Sequence, residues 1–113
     1  MSLTLNLSIG SIRIQCDRTL AADLKAALDR LMQSLKAVAA QPATGSKPTP
    51  EKSFEYQHRD RIFLEIFCNP NLYPSPYAAK VLLTLQDEQL RVVVETELTQ
   101  MLDDVTQFLE SAQ

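Results

Sequence analysis

Apolar residues occupy alternate positions in six short stretches of the chain and recur at steps of three or four in two longer ones. Leu3, Leu5, Leu7 and Ile9 fall on odd positions, whereas Ile12, Ile14 and Cys16 fall on even ones. One strand cannot change parity without a bulge, because successive side chains point to opposite faces. A hairpin accounts for the change. Pairing Leu7 with Ile12 sets Leu5 against Ile14 and Leu3 against Cys16, all on one face. The loop is then Ser8-Ile9-Gly10-Ser11, long enough to spare Ile9 the positive φ of a type I′ turn. The alternative is a single strand bent at a bulge on Gly10. The same test predicts two more hairpins. Tyr56 opposite Ile62 puts Phe54 on Leu64, with Ile66 and Cys68 continuing that face and a loop at His58-Arg59-Asp60. Leu85 opposite Leu90 gives Leu83 with Val92 and Val81 with Val94, and a tip at Gln86-Asp87-Glu88-Gln89.

Helical spacing links Leu20, Leu24, Ala27, Leu28, Leu31, Leu35 and Val38, predicting a helix from about Thr19 to Ala40 with Thr19 as N-cap. At ~1.5 Å per residue it is roughly 33 Å long. Lys25 and Asp29 stand one turn apart on it and can pair. A second stripe, Leu98, Met101, Leu102, Val105, Phe108 and Leu109, predicts a helix over about Glu97 to Ser111, capped by Thr96, with Asp103, Asp104, Gln107 and Glu110 on its wet face. Between these elements, QPATGSKPTPEK (41–52) and NPNLYPSP (69–76) are loops by their Pro and small polar residues, the first a flexible internal one.

The order ββ–helix–ββ–ββ–helix, with one oily face per strand, predicts a single α+β domain over residues 1–113. The economical arrangement is a two-layer sandwich, an antiparallel sheet of about six strands with both helices on one face. If the first hairpin is instead one bent strand, the order becomes β-α-β4-α, as in the TATA-box-binding-protein-like fold, which carries many unrelated functions.

Composition narrows the class. The chain has 113 residues, 12.7 kDa, 45% hydrophobic and 22% charged residues, enough for a core without metal or disulfide staples. A net charge of −3 speaks against a nucleic-acid binder held by phosphate contacts. The N-terminus lacks the basic-then-apolar pattern of a signal peptide, and no apolar run is long enough to span a bilayer, so a cytoplasmic location without membrane insertion is expected. Cys16 and Cys68 lie in alternating apolar segments and are expected as buried small hydrophobes rather than a redox pair.

Chemical signals are sparse. The one histidine, His58, sits beside Arg59 and Asp60 in a predicted turn, where a solvated histidine is the expectation over a general base. His-Arg-Asp echoes the kinase catalytic loop, but the chain is too short and lacks the Gly-rich loop. One His and two distant Cys match no zinc spacing, and the pairs Asp87-Glu88 and Asp103-Asp104 are expected to be solvated. Two glycines are too few for a phosphate-cradling loop. No catalytic, cofactor or metal site is expected.

The second face of the sheet departs from a plain amphipathic pattern. Phe63, Phe67, Leu82 and Val93 have the parity opposite to the core set, where polar residues belong. They form an interface, with Tyr73 and Tyr77 at its rim, or are covered by the 69–78 loop through Leu72, Tyr73 and Tyr77. Residues 85–110, LQDEQLRVVVETELTQMLDDVTQFLE, resemble the C-terminal part of small uncharacterised cyanobacterial proteins. That resemblance implies a photosynthetic bacterial source and no defined activity. The expectation is a non-catalytic protein-interaction or assembly module that forms a homo-oligomer, a homodimer in the simplest case. The alternative is a small-ligand binder or enzyme with a pocket between the long helix and the sheet, for which Tyr56, His58, Arg61 and Tyr77 are the first candidates. Nucleic-acid stacking on Phe63 and Phe67 is disfavoured for want of a basic stripe.

Overall fold

A computed structural model describes residues 1–41 and 50–111. The strands are β1 (Ser2–Leu7), β2 (Gly10–Gln15), β3 (Phe54–Arg59), β4 (Phe63–Cys68), β5 (Lys80–Gln86) and β6 (Arg91–Glu97), and the helices α1 (Arg18–Ala39) and α2 (Leu98–Ser111). The expected hairpins and helices are present in the expected order. The single six-stranded sheet is not. β1 and β2 form a two-stranded sheet of their own, and β3-β4-β5-β6 form an antiparallel meander. Parity fixes which face of a strand is oily; it does not fix which strand lies beside which.

The cores of the two sheets are nevertheless one. Leu3, Leu5, Ile14 and Cys16 from the hairpin join Leu64, Ile66, Val81, Leu83 and Leu85 from the meander, Leu24, Leu28, Leu31 and Leu35 from α1, and Leu98, Met101, Val105 and Phe108 from α2 in a continuous buried cluster. A buried carboxylate ties the hairpin to the second helix. Asp104 is 6% exposed and accepts from the Asn6 backbone N–H (2.8 Å), the Asn6 side-chain amide (2.9 Å) and the Gln100 amide (2.9 Å). This corrects the expectation of a solvated Asp103-Asp104 pair, since only Asp103 faces water.

Every hairpin differs in register from the sequence reading, always by an even number of residues. In the first, Leu3 pairs Ile14, Leu5 pairs Ile12 and Leu7 pairs Gly10, around a two-residue Ser8-Ile9 turn. Neither turn residue has positive φ; that conformation falls on Gly10, at φ 154°, where no Cβ resists it. In the second, Tyr56 pairs Ile66 and His58 pairs Leu64, so His58 is a strand residue and the turn is Asp60-Arg61-Ile62. In the third, Leu85 pairs Val92, Leu83 pairs Val94, and Leu90 sits in the turn, 61% exposed. Asp87 sets that turn, its Oδ1 accepting the N–H groups of Gln89 and Leu90, both at 2.8 Å.

The caps differ as well. α1 is capped by Asp17, which accepts the Leu20 N–H at 2.7 Å, not by Thr19. Thr96 is not an N-cap but a buried member of β6 opposite Val81, and the strand runs straight into α2, whose first N–H donates to the Ala79 carbonyl at 3.1 Å. Lys25 and Asp29 pair at 2.9 Å as their spacing suggests. Of the expected flexible 41–52 loop, residues 42–49 lie outside the described residues. Its end is fastened, because Glu51 N–H donates to the Asn71 side-chain oxygen and Asn71 donates back to the Glu51 carbonyl, both at 2.8 Å.

Candidate functional site

The meander buries one face against the helices and, among the described residues, leaves the other bare. Three cross-strand rows fill the bare face. Arg59, Phe63, Gln86 and Arg91 form the row nearest the turns. Gln57, Glu65, Thr84 and Val93 form the middle row, and Glu55, Phe67, Leu82 and Glu95 the third. Phe67 and Leu82 are thus direct cross-strand neighbours, the closest kind of side-chain contact on a sheet. They remain 40% and 41% exposed, and Val93 is 48% exposed.

The 69–78 connection does not cover them. Its two short 3-10 turns, Pro70–Leu72 and Pro76–Ala78, pack against α1, and the second also against α2, on the opposite side of the sheet. Tyr73 is packed against the buried core rather than standing at the rim of the bare face, and burial pushes its phenol above the usual tyrosine range. Tyr77 is 83% exposed within the connection. Of the six residues expected at the interface, Phe63, Phe67, Leu82 and Val93 therefore share one surface, and Tyr73 does not join it.

The polar groups of this face are held in place. The Arg59 guanidinium lies over the Phe63 ring, 4.4 Å from its centroid, a cation–π contact that also explains why Phe63 is only half-exposed. Arg91 donates to the Gln86 side-chain oxygen at 2.8 Å. The Gln57 amide donates to both Glu55 and Glu65 at 2.7 Å. Glu95 stands 3.8 Å from Lys80. The turn end of the face is therefore net positive through Arg59 and Arg91, and the other end net negative through Glu55, Glu95 and Glu97 despite Lys80.

A second surface is concave. A groove of about 660 Å3 separates β2 from the turn end of the meander and the start of α1. That volume lies within the range of small-molecule sites. Ile12, Ile62, Leu90 and Val92 make its apolar wall, and Arg13, Asp23, His58, Asp60, Arg61 and Asp87 its polar one. Residues of both parities from Ile12 to Cys16 line it although Ile14 and Cys16 bury their side chains in the core, so the backbone edge of the strand forms this wall. The Cys16 N–H donates to the Met1 carbonyl at 2.9 Å. Antiparallel alternation then turns the backbone groups of Ser11, Arg13 and Gln15 away from β1, toward that open edge. Two of the four pocket candidates, His58 and Arg61, line this groove. Tyr56 packs against the core, where burial and then the Asp23 carboxylate push its phenol up, and Tyr77 lies elsewhere.

The expected pocket between the long helix and the sheet thus has a counterpart at the start of α1, but sequence reasoning missed its β2 wall and its apolar lining. Its apolar wall consists of residues assigned to strand cores, and only the register shift in the third hairpin releases Leu90 to line it. Cys16 and Cys68 are buried and free; burial raises the Cys16 thiol and pushes Cys68 up to about 11, so both are protonated, unreactive thiols at neutral pH. Among the described residues no three His, Cys, Asp or Glu side chains converge to hold a metal ion, and no helix is long and apolar enough to cross a membrane. The chain matches no protein-family model, no curated protein and no solved structure.

Proposed function

We propose that this chain is a non-catalytic assembly module that associates with a second copy of itself through the bare face of the four-stranded sheet. The observation that carries the reading is the Phe67–Leu82 cross-strand pair with Val93, all partly exposed and with no described element of the chain over them. A face of four strands, ~4.8 Å apart and ~3.3 Å per residue, has a footprint of about 400 Å2. Two such footprints bury about 800 Å2 in all, below the standard size of specific interfaces, which points to weak, transient association. Nucleic acid is a poor occupant. The face carries Glu55, Glu65, Glu95 and Glu97 against Arg59, Arg91 and Lys80, so carboxylates outnumber cations.

Sedimentation equilibrium across about 1–100 μM, a range that detects association free energies of roughly −8 to −5.5 kcal/mol, tests the reading. The wild type is expected to pass from monomer to dimer, and Phe67→Asp or Leu82→Glu to stay monomeric with unchanged circular dichroism. A wild type that stays at 12.7 kDa throughout overturns it.

The groove supports a second reading, a site for a small, largely apolar molecule seated among Ile12, Ile62, Leu90 and Val92 with a polar group at His58 or Arg61. A thermal-shift screen of nucleotides and metabolites addresses it. A ligand at 100 times its dissociation constant adds roughly 2.7 kcal/mol, a rise of roughly 10 °C for a chain of this size. The shift should be lost in Arg61→Ala. A screen without a shift, or one that Arg61→Ala leaves intact, removes this reading.

A further inference from the structure

The bare face has a charge order along its strands that selects one way for two copies to meet. Resting on the self-association proposed above, we infer that the two sheets stack face to face about a two-fold axis lying between them, perpendicular to the strands and along the middle row. This orientation places the turn-end row of each copy over the third row of its partner and keeps like strands together. Arg59 then faces the partner's Glu55, and Arg91 faces the partner's Glu95. Phe63 meets the partner's Phe67, and Val93 meets its own symmetry mate. Each of these contacts occurs twice, except the one on the axis, as an isologous interface requires. Aligned packing of sheets about 10 Å apart lets side chains of the facing rows touch.

The competing two-fold axis runs parallel to the strands. It brings Phe67 over the partner's Leu82, which is attractive, but it also sets Arg59 against the partner's Arg91 and Glu55 against the partner's Glu95, each twice. Four like-charge oppositions on a partly buried face outweigh that apolar gain, since like charges across an interface are a main device for excluding wrong geometries. The cations are also in position before contact, Arg59 by its stacking on Phe63 and Arg91 by its bond to Gln86. Less side-chain freedom is therefore lost when they pair. Two unfavourable features remain in the selected orientation: Glu65 lies beside its own symmetry mate, softened by the Gln57 amide, and the partner's Arg91 shares Glu95 with Lys80, 3.8 Å away.

Charge reversal separates the two orientations by sign. In the perpendicular orientation Arg91→Glu sets two carboxylates together, and Glu95→Arg sets two cations together. Each variant alone should weaken dimerisation about tenfold or more. Mixed in equal amounts, they should form a heterodimer of about wild-type strength. The introduced carboxylate of one chain then faces the introduced guanidinium of the other, and the unaltered Arg91 faces the unaltered Glu95. Glu65→Gln should tighten the dimer. In the parallel orientation Arg91→Glu instead sets a carboxylate against the partner's Arg59, and that single variant tightens the dimer. Sedimentation of each variant and of the mixture gives the answer. Weakening of both single variants with recovery on mixing supports the perpendicular axis. Tightening of Arg91→Glu, or a dimer that ignores both reversals yet is broken by Phe67→Asp, overturns the orientation while leaving self-association standing. A wild type that never dimerises overturns both.

Discussion

At the scale of single residues, the position with the largest consequence relative to its appearance is Asp104. In the sequence it is one of two adjacent carboxylates on a helix. In the fold it accepts three hydrogen bonds, two of them from Asn6 in β1, and it is what the hairpin holds on to. Truncation strands donors that are partly shielded from water. Asp104→Ala should therefore cost about 2–3 kcal/mol in urea unfolding, whereas Asp103→Ala on the wet side should stay within about 0.5 kcal/mol. Equal effects at the two positions would contradict this role. Gly10 carries a different constraint. Nothing stands within 4 Å of a Cβ built there, so Gly10→Ala meets no clash, yet φ 154° is a conformation that L side chains rarely adopt. The same unfolding experiment should show a loss of about 1–3 kcal/mol from backbone strain alone. A third test is by pH. Burial raises the Cys68 thiol from 9.0 to about 11. The folded state keeps the proton more tightly than the unfolded one, so this contribution is complete below about pH 9 and is lost as pH rises from about 9 to 11. Cys68→Ala should flatten the stability profile across that window, and an unchanged slope would contradict the assignment.

At the scale of elements, the legible and the illegible parts of the sequence divide along a physical line. Parity was sufficient to show that Leu64, Ile66, Leu83 and Leu85 face the core and that Phe67, Leu82 and Val93 do not. An even slip of register leaves every side chain on its own face, so parity cannot see it. The turns decide the slip, and their determinants are single polar atoms or single dihedrals: the Asp87 carboxylate bonded to two N–H groups, and the positive φ of Gly10 just past the Ser8-Ile9 turn. Helix ends follow the same rule. The stripe from Leu20 to Leu35 fixed the body of α1, but the cap passed to Asp17, whose carboxylate reaches the Leu20 N–H at 2.7 Å. Asp17→Ala should cost about 1 kcal/mol, and Thr19→Ala, exposed and not capping, much less. The separation of β1 and β2 from the meander had no local signal at all. The contacts that hold the hairpin are long-range ones with α2, among them Asn6 to Asp104, 98 residues apart in sequence, and the packing of Leu3 and Leu5 in the common core.

For the whole molecule, the same division explains why the apolar residues of the second face were legible, whereas their exposure and the β2 wall of the groove were not. Parity within four strands places Phe63, Phe67, Leu82 and Val93 on that face, but only the path of the 69–78 connection leaves them uncovered. The groove exists only once the two sheets part and Leu90 drops into a turn. Together they give the chain one face that sets Phe63, Phe67, Leu82 and Val93 among polar residues, net positive at one end and net negative at the other, and one concave surface walled by an open strand edge. The most direct test of self-association reads the face itself. Hydroxyl-radical footprinting of the wild type at low and high micromolar concentration should show protection of Phe67 and Leu82 growing with concentration, while Tyr77 and Leu72, exposed on the far connection, label equally at both. Labelling of Phe67 and Leu82 that does not change with concentration would contradict the assignment of this face as the contact.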